Sequence, residues 1–150
     1  LPVEEAEPFM GMTRKRGLHM ILQVTPTTSP ERLQRIVAEA SGFIYLIGLE
    51  GVTGSKLKSW KTVFQLIKRV KKKTDKPVLV GFGISGLKQA EAMITAGADG
   101  VVVGTAYAKI YFEILDNPFE ALPKIAKLSR EIKLGCIYGY TRRPHSNLLL

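Results

Sequence analysis

Pro77-Val78-Leu79-Val80-Gly81-Phe82-Gly83-Ile84-Ser85 sets an apolar run directly against a Gly-Phe-Gly turn and a serine. Glycine weakens a strand, because it costs backbone entropy and packs nothing. A Gly81-Gly83 pair at a strand end therefore marks either a tight turn or a place where something approaches the backbone. The run itself has no polar alternation, which reads as a strand buried on both faces, as in a parallel sheet. Three other runs share this character: 19–24 (HMILQV), 42–48 (GFIYLIG) and 100–105 (GVVVGT).

Helical periodicity fills the intervals, at 2–17, 29–41, 59–74, 86–97 and 117–133. In the third, Trp60, Val63, Phe64, Ile67 and Val70 form one stripe, with Lys61, Lys68, Arg69 and Lys72 off it. Ser29-Pro30 and Asn117-Pro118 are N-cap and N1 pairs, and Glu120 is placed to complete a capping box with Asn117. Gly17, Gly42, Pro77 and Gly97 punctuate short connections. Four strands alternating with five helices give an α/β fold with right-handed crossovers. A closed (β/α)8 barrel needs twice as many strands. The last stretch, 136–150, has no period, contains Pro144 and ends in three leucines, so it reads as an irregular tail behind a domain over 1–135.

With 150 residues, 45% hydrophobic and 23% charged, the chain fits one domain. A net charge of +9 favours anionic partners. The basic run Lys68-Arg69-Val70-Lys71-Lys72-Lys73 lies at a helix C-terminus, where cations complement the dipole. No aromatic interleaving or nucleic-acid motif accompanies it. Cys136 is the single cysteine, which excludes an internal disulfide framework and points to a reducing cytoplasm. No apolar stretch approaches the length of a membrane span, and the start LPVEEAEPF does not resemble a signal peptide. The leucine at position 1 reads as the start of a fragment or a processed product. His19 and His145 suggest neither a metal pair nor a catalytic triad.

Parallel α/β folds bind ligands at the C-terminal ends of their strands. Those ends carry Thr25-Pro26-Thr27-Thr28, then Glu50-Gly51-Val52-Thr53-Gly54, then Gly81-Phe82-Gly83-Ile84-Ser85, then Gly104-Thr105-Ala106. Glycine beside a hydroxyl at the start of a helix makes a nest of backbone N–H groups suited to an anion. Each glycine alone is equally well a turn residue.

GLEGVTG at 48–54, GFGIS at 81–85, AGADGVVVGTA at 96–106 and the upstream LPVEEA, in that order, resemble the tryptophan synthase α subunit family. The resemblance covers Leu1 to about Lys133. It implies a TIM-type (β/α) barrel, of which this chain carries about half: strands 5 to 8. It further implies a lyase that cleaves indole-3-glycerol phosphate to indole and glyceraldehyde 3-phosphate by a retro-aldol step in tryptophan biosynthesis. The α subunit itself holds no cofactor or metal, and a β subunit carrying pyridoxal phosphate takes the indole. By the same resemblance, Tyr45 and Phe82 face the indole, while Gly54, Gly83, Gly104 and Thr105 hold phosphate. Gly51, Val52 and Thr53 belong to a closing loop, and Gly81 makes the turn.

Two departures stand out. The family's catalytic glutamate and aspartate fall upstream of the matched region, and Glu50 is the one carboxylate at a strand's C-terminal end here. Gly48-Leu49 replaces a frequent Ser-Arg at the loop. The chain alone is therefore expected to be inactive. It is expected to pair with an N-terminal half or to self-associate through apolar strand edges. The alternative is a phosphate-ester-binding half-barrel without catalysis.

Overall fold

The computed structural model describes residues 2–48, 58–115 and 117–143, which cluster into two compact units divided after Val80. In the first unit a 3-10 turn at Val3–Glu5 leads into α1 (Glu7–Arg14). Then follow β1 (Leu22–Val24), α2 (Pro30–Glu39), β2 (Ile44–Leu46), α3 (Lys58–Lys71) and β3 (Val78–Val80). The three strands are parallel, with Leu22 level with Ile44 and Ile44 level with Val78.

The strands alternate more than their apolar composition suggests. Leu22, Val24, Ile44, Leu46, Val78 and Val80 are buried, whereas the middle row leaves Gln23 exposed and Tyr45 and Leu79 half-buried. One sheet face is therefore closed and the other partly open, in place of the two buried faces expected from the sequence. Helices α2 and α3 pack on β1 and β3. Val63, Ile67 and Val70 of the expected stripe are buried, and Leu66 joins them. Each such side chain contributes about 1.5–3 kcal/mol of burial. Trp60 and Phe64 are half-buried and meet edge to face at 6.0 Å between ring centroids. Ser29 caps α2 as expected, its hydroxyl accepting from the Arg32 N–H at 3.2 Å.

The second unit comprises α4 (Leu87–Thr95), β4 (Gly100–Val101), α5 (Thr105–Phe112), a 3-10 turn at Pro118–Glu120 and α6 (Ala121–Thr141). Two of its features correct the sequence reading. Helix α5 was not expected, because TAYAKIYF is apolar at nearly every position and shows no helical period. Helix α6 continues through Thr141, so residues 136–141 are helical and do not belong to an irregular tail. Gly135 and Gly139 read as breakers but are contact residues. A Cβ on Gly135 would fall on the Leu87 carbonyl oxygen, and one on Gly139 would lie 2.5 Å from the Glu91 oxygen and 2.8 Å from Ile94 Cβ. The Asn117 side chain does not cap the backbone; its amide donates to Glu120 Oε1 at 2.8 Å.

The C-terminal end of α6 is tied to α4 and to the segment before β4. Arg142 pairs with Glu91, and Arg143 donates to the carbonyls of Ile94 and Ala98. Among the described residues, no helix is long and apolar enough to cross a membrane.

Candidate functional site

The second unit carries two glycine turns, each ahead of a helix. The first runs from Gly81 to Gly86. Gly81 and Phe82 are half-buried, Ile84 is buried, and Gly83 and Ser85 are exposed. Gly83 has φ +64, a conformation that L residues rarely adopt. Gly86 then precedes α4 with no side-chain cap.

The second turn is Gly104-Thr105. Gly104 is the N-cap of α5, exposed, with φ −125. A Cβ there would meet nothing within 4 Å. Neither a left-handed φ nor packing thus requires glycine at this position. Among the described residues no side chain caps α5, and the first-turn N–H groups at Thr105 and Ala106 have no helical acceptor. Glycine keeps the approach to these donors clear, and the Thr105 hydroxyl stands exposed beside them. Helix α5 is fixed from its far side, where the Tyr107 hydroxyl is 3.0 Å from Ser129 Oγ on α6. That serine in turn donates to the Ile125 carbonyl at 2.8 Å.

The charges suit an anion. Residues 81–90 and 100–112 contain no Asp or Glu, and they carry Lys88 and Lys109. Helix N-termini add partial positive charge of their own. The sequence located both turns. It missed that Gly104-Thr105 opens a helix, although Ala106, Ala108 and Lys109 are good helix formers that could have shown it.

Tyr45 belongs to the first unit, on the partly open face of the sheet in a row with Gln23 and Leu79. Glu50, Gly51, Val52, Thr53 and Gly54 lie outside the described residues. Of the carboxylates on helices, Glu4, Glu5 and Glu31 are exposed, while Glu39, Glu91 and Glu131 are half-buried. Glu4 pairs with Arg32 at 2.7 Å and Glu39 with Arg14 at 2.9 Å. Backbone hydrogen bonding holds the Glu4 carboxyl below its ordinary value, with Arg32 and Arg35 adding to this and burial opposing it. A surface depression lined by Glu4, Ser29, Glu31, Arg32 and Arg35 contains the Glu4–Arg32 pair, so part of its charge is already neutralised. It involves neither glycine turn.

Comparison with known proteins converges on one family. Residues 1–136 match the family described as tryptophan synthase alpha chain. The chain is 42% identical over 133 residues to the tryptophan synthase alpha chain of Synechocystis, covering 89% of this chain and 50% of that one. The Arabidopsis thaliana alpha chain is 38% identical over 137 residues, covering 91% and 50%. Among solved structures, the tryptophan synthase α2β2 complex of Pyrococcus furiosus contains a chain matching at a TM-score of 0.79 with 35% identity, over 89% of this chain and 52% of that one. Tryptophan synthase of M. tuberculosis matches at 0.74 and 29% identity, over 91% and 47%. The chain thus spans about half the length of the relatives it matches. Its fold class is the α/β class of the TIM barrel, as the family resemblance implies. The chain belongs to the tryptophan synthase alpha chain family.

Proposed function

We propose that this chain supplies the phosphate-gripping part of a tryptophan synthase alpha-type lyase, which cleaves indole-3-glycerol phosphate to indole and glyceraldehyde 3-phosphate. The observation that carries the reading is Gly104: a glycine required by neither φ nor packing, set over the uncapped start of α5. A phosphate there accepts from backbone N–H groups and from the Thr105 hydroxyl, while Gly83 offers a second open turn. By family resemblance, Phe82 and Tyr45 are each assigned to the indole, and Gly81 to the turn before Phe82. By the same resemblance, Gly51, Val52 and Thr53 are assigned to a closing loop and Gly54 to the phosphate ligands.

The reaction breaks the bond between indole C3 and the glycerol phosphate. The electron pair stays with C3, which gains a proton, and the neighbouring hydroxyl loses its proton as the aldehyde forms. Both proton transfers need placed acid–base groups. By family resemblance these are carboxylates of the half that this chain does not match. This chain then contributes binding and orientation, which hold the scissile bond in place for them. The cytoplasm is the proposed location. A pyridoxal-phosphate-bearing β subunit is the proposed consumer of indole, consistent with the α2β2 assembly of the Pyrococcus furiosus relative. The alpha-type chain needs no cofactor of its own.

The test is co-expression with the complementary N-terminal half of the Synechocystis alpha chain, followed by an assay of indole release. Turnover is expected, and Gly83→Asp should abolish it. A folded assembly that binds glycerol 3-phosphate yet releases no indole would overturn the lyase reading in favour of a non-catalytic phosphate-ester-binding module.

A further inference from the structure

Alternation along the strands of the first unit sorts their side chains into two sets. Leu22, Val24, Ile44, Leu46, Val78 and Val80 are buried on the face that α2 and α3 cover. Gln23, Tyr45 and Leu79 belong to the other face, because successive side chains of a strand alternate. They also share one level: Gln23 is the register partner of Tyr45, and Tyr45 that of Leu79. Parallel strands lie about 4.8 Å apart, so Gln23 and Tyr45 are immediate neighbours across the sheet.

Gln23 is out of character for this row. Apart from Tyr45, every other residue of β1, β2 and β3 is aliphatic. In a TIM-type barrel the helices cover the outside of the sheet. The face they leave open is the one turned inward, where branched apolar side chains dominate. A carboxamide on that face brings one acceptor oxygen and two donor hydrogens. Gln23 is exposed, and among the described residues its side chain has no hydrogen-bond partner. It stands one residue short of the C-terminal end of β1, the end at which parallel α/β folds bind ligands.

Tyr45 is assigned to the indole in the proposed function, and the inference rests on that assignment. A ring laid against Tyr45 has the Gln23 carboxamide at its edge. Indole carries a single hydrogen-bonding group, the ring N–H, and it is a donor. We propose that Gln23 is a specificity-determining residue of this site: its Oε1 accepts from the ring N–H and so selects indoles over rings of the same shape without that hydrogen. A site that reads an N–H with a placed acceptor rejects the analogue lacking it, because the acceptor is then left unpaired. Tyr45 supplies the apolar contact, and Gln23 reads the one polar group.

The experiment measures equilibrium binding of indole and of 1-methylindole to the whole chain by NMR titration. Indole is expected to bind about fivefold tighter than 1-methylindole and to shift the Gln23 side-chain amide. Gln23→Leu should bring that ratio below about twofold, whereas Gln23→Glu, which keeps an acceptor, should preserve it. Gln34→Leu, which removes an exposed carboxamide from α2, should leave the ratio at its wild-type value. Circular dichroism checks that each variant keeps its fold. A ratio that Gln23→Leu leaves unchanged would overturn the proposal. So would a ratio lost equally in Gln23→Glu, or a chain that binds no indole. The lyase reading fails on a separate readout, the absence of indole release from the assembly with the N-terminal half, which leaves these equilibrium ratios as they are.

Discussion

Within the second unit, glycine serves two opposed purposes. Gly135 and Gly139 on α6 are glycines because α4 occupies the space where a side chain would go. Gly83 and Gly104, at the ends of the strand segments, face open space. The α4–α6 seam is a packing device and should respond to substitution through stability. The two turns are left vacant on their outer side and should respond through ligand affinity. A residue type alone therefore says little; the occupant of its missing Cβ decides between scaffold and site.

The comparison breaks most visibly at the seam. Replacing glycine by alanine inside a helix ordinarily gains about 1 kcal/mol. Gly135→Ala and Gly139→Ala should reverse that sign, because their Cβ atoms meet backbone carbonyls that cannot rotate away. Overpacking of this kind costs about 1–3 kcal/mol. A net loss of about 1–2 kcal/mol per site is expected in urea denaturation. Unchanged or raised stability would mean that the helices are not in contact there.

Gly83→Asp should act on both scales. Its left-handed backbone costs a non-glycine residue about 1 kcal/mol, with Asp among the better tolerated replacements. The added carboxylate should lower affinity for glycerol 3-phosphate at least tenfold, measured by isothermal titration. Gly104→Ser separates the two effects more cleanly. Serine is a good N-cap and should stabilise α5 by a few tenths of a kcal/mol. The same hydroxyl would occupy the N–H groups offered to phosphate, so affinity should fall several-fold while melting temperature holds or rises. A matched loss of both would place Gly104 with the packing glycines.

The smallest effect is a reporter of the seam. Cys136 sits beside Gly135, and burial pushes its thiol above the ordinary cysteine value, only partly offset by Lys133. A raised value means less thiolate at a given pH, so alkylation at pH 8 should run slower than for free cysteine, with its rise displaced to higher pH. Gly139→Ala should speed it by loosening the contact.

Much of this was legible in the sequence, for reasons that differ by element. Helices α2 and α3 announce themselves through a cap and a stripe, and Ser29 and Val63-Ile67-Val70 behave as those signals imply. The strands were found, but not their one open face, because Tyr45 and Leu79 are apolar enough to mask the alternation. Helix α5 and the last turns of α6 were missed where tertiary contact overrides local preference: glycine in a helix reads as a break until a partner helix fills the gap. The glycine turns of the site were located by motif. What separates Gly104 from Gly135 is the surrounding space, which no local pattern encodes.

The most direct test of the central claim is amide chemical-shift mapping of this chain during titration with glycerol 3-phosphate. The expected result is that the largest shifts fall on Gly83, Gly104, Thr105 and Ala106, with Gly135 and Gly139 unmoved. Shifts confined to the basic run 68–73, with those four amides silent, would contradict it.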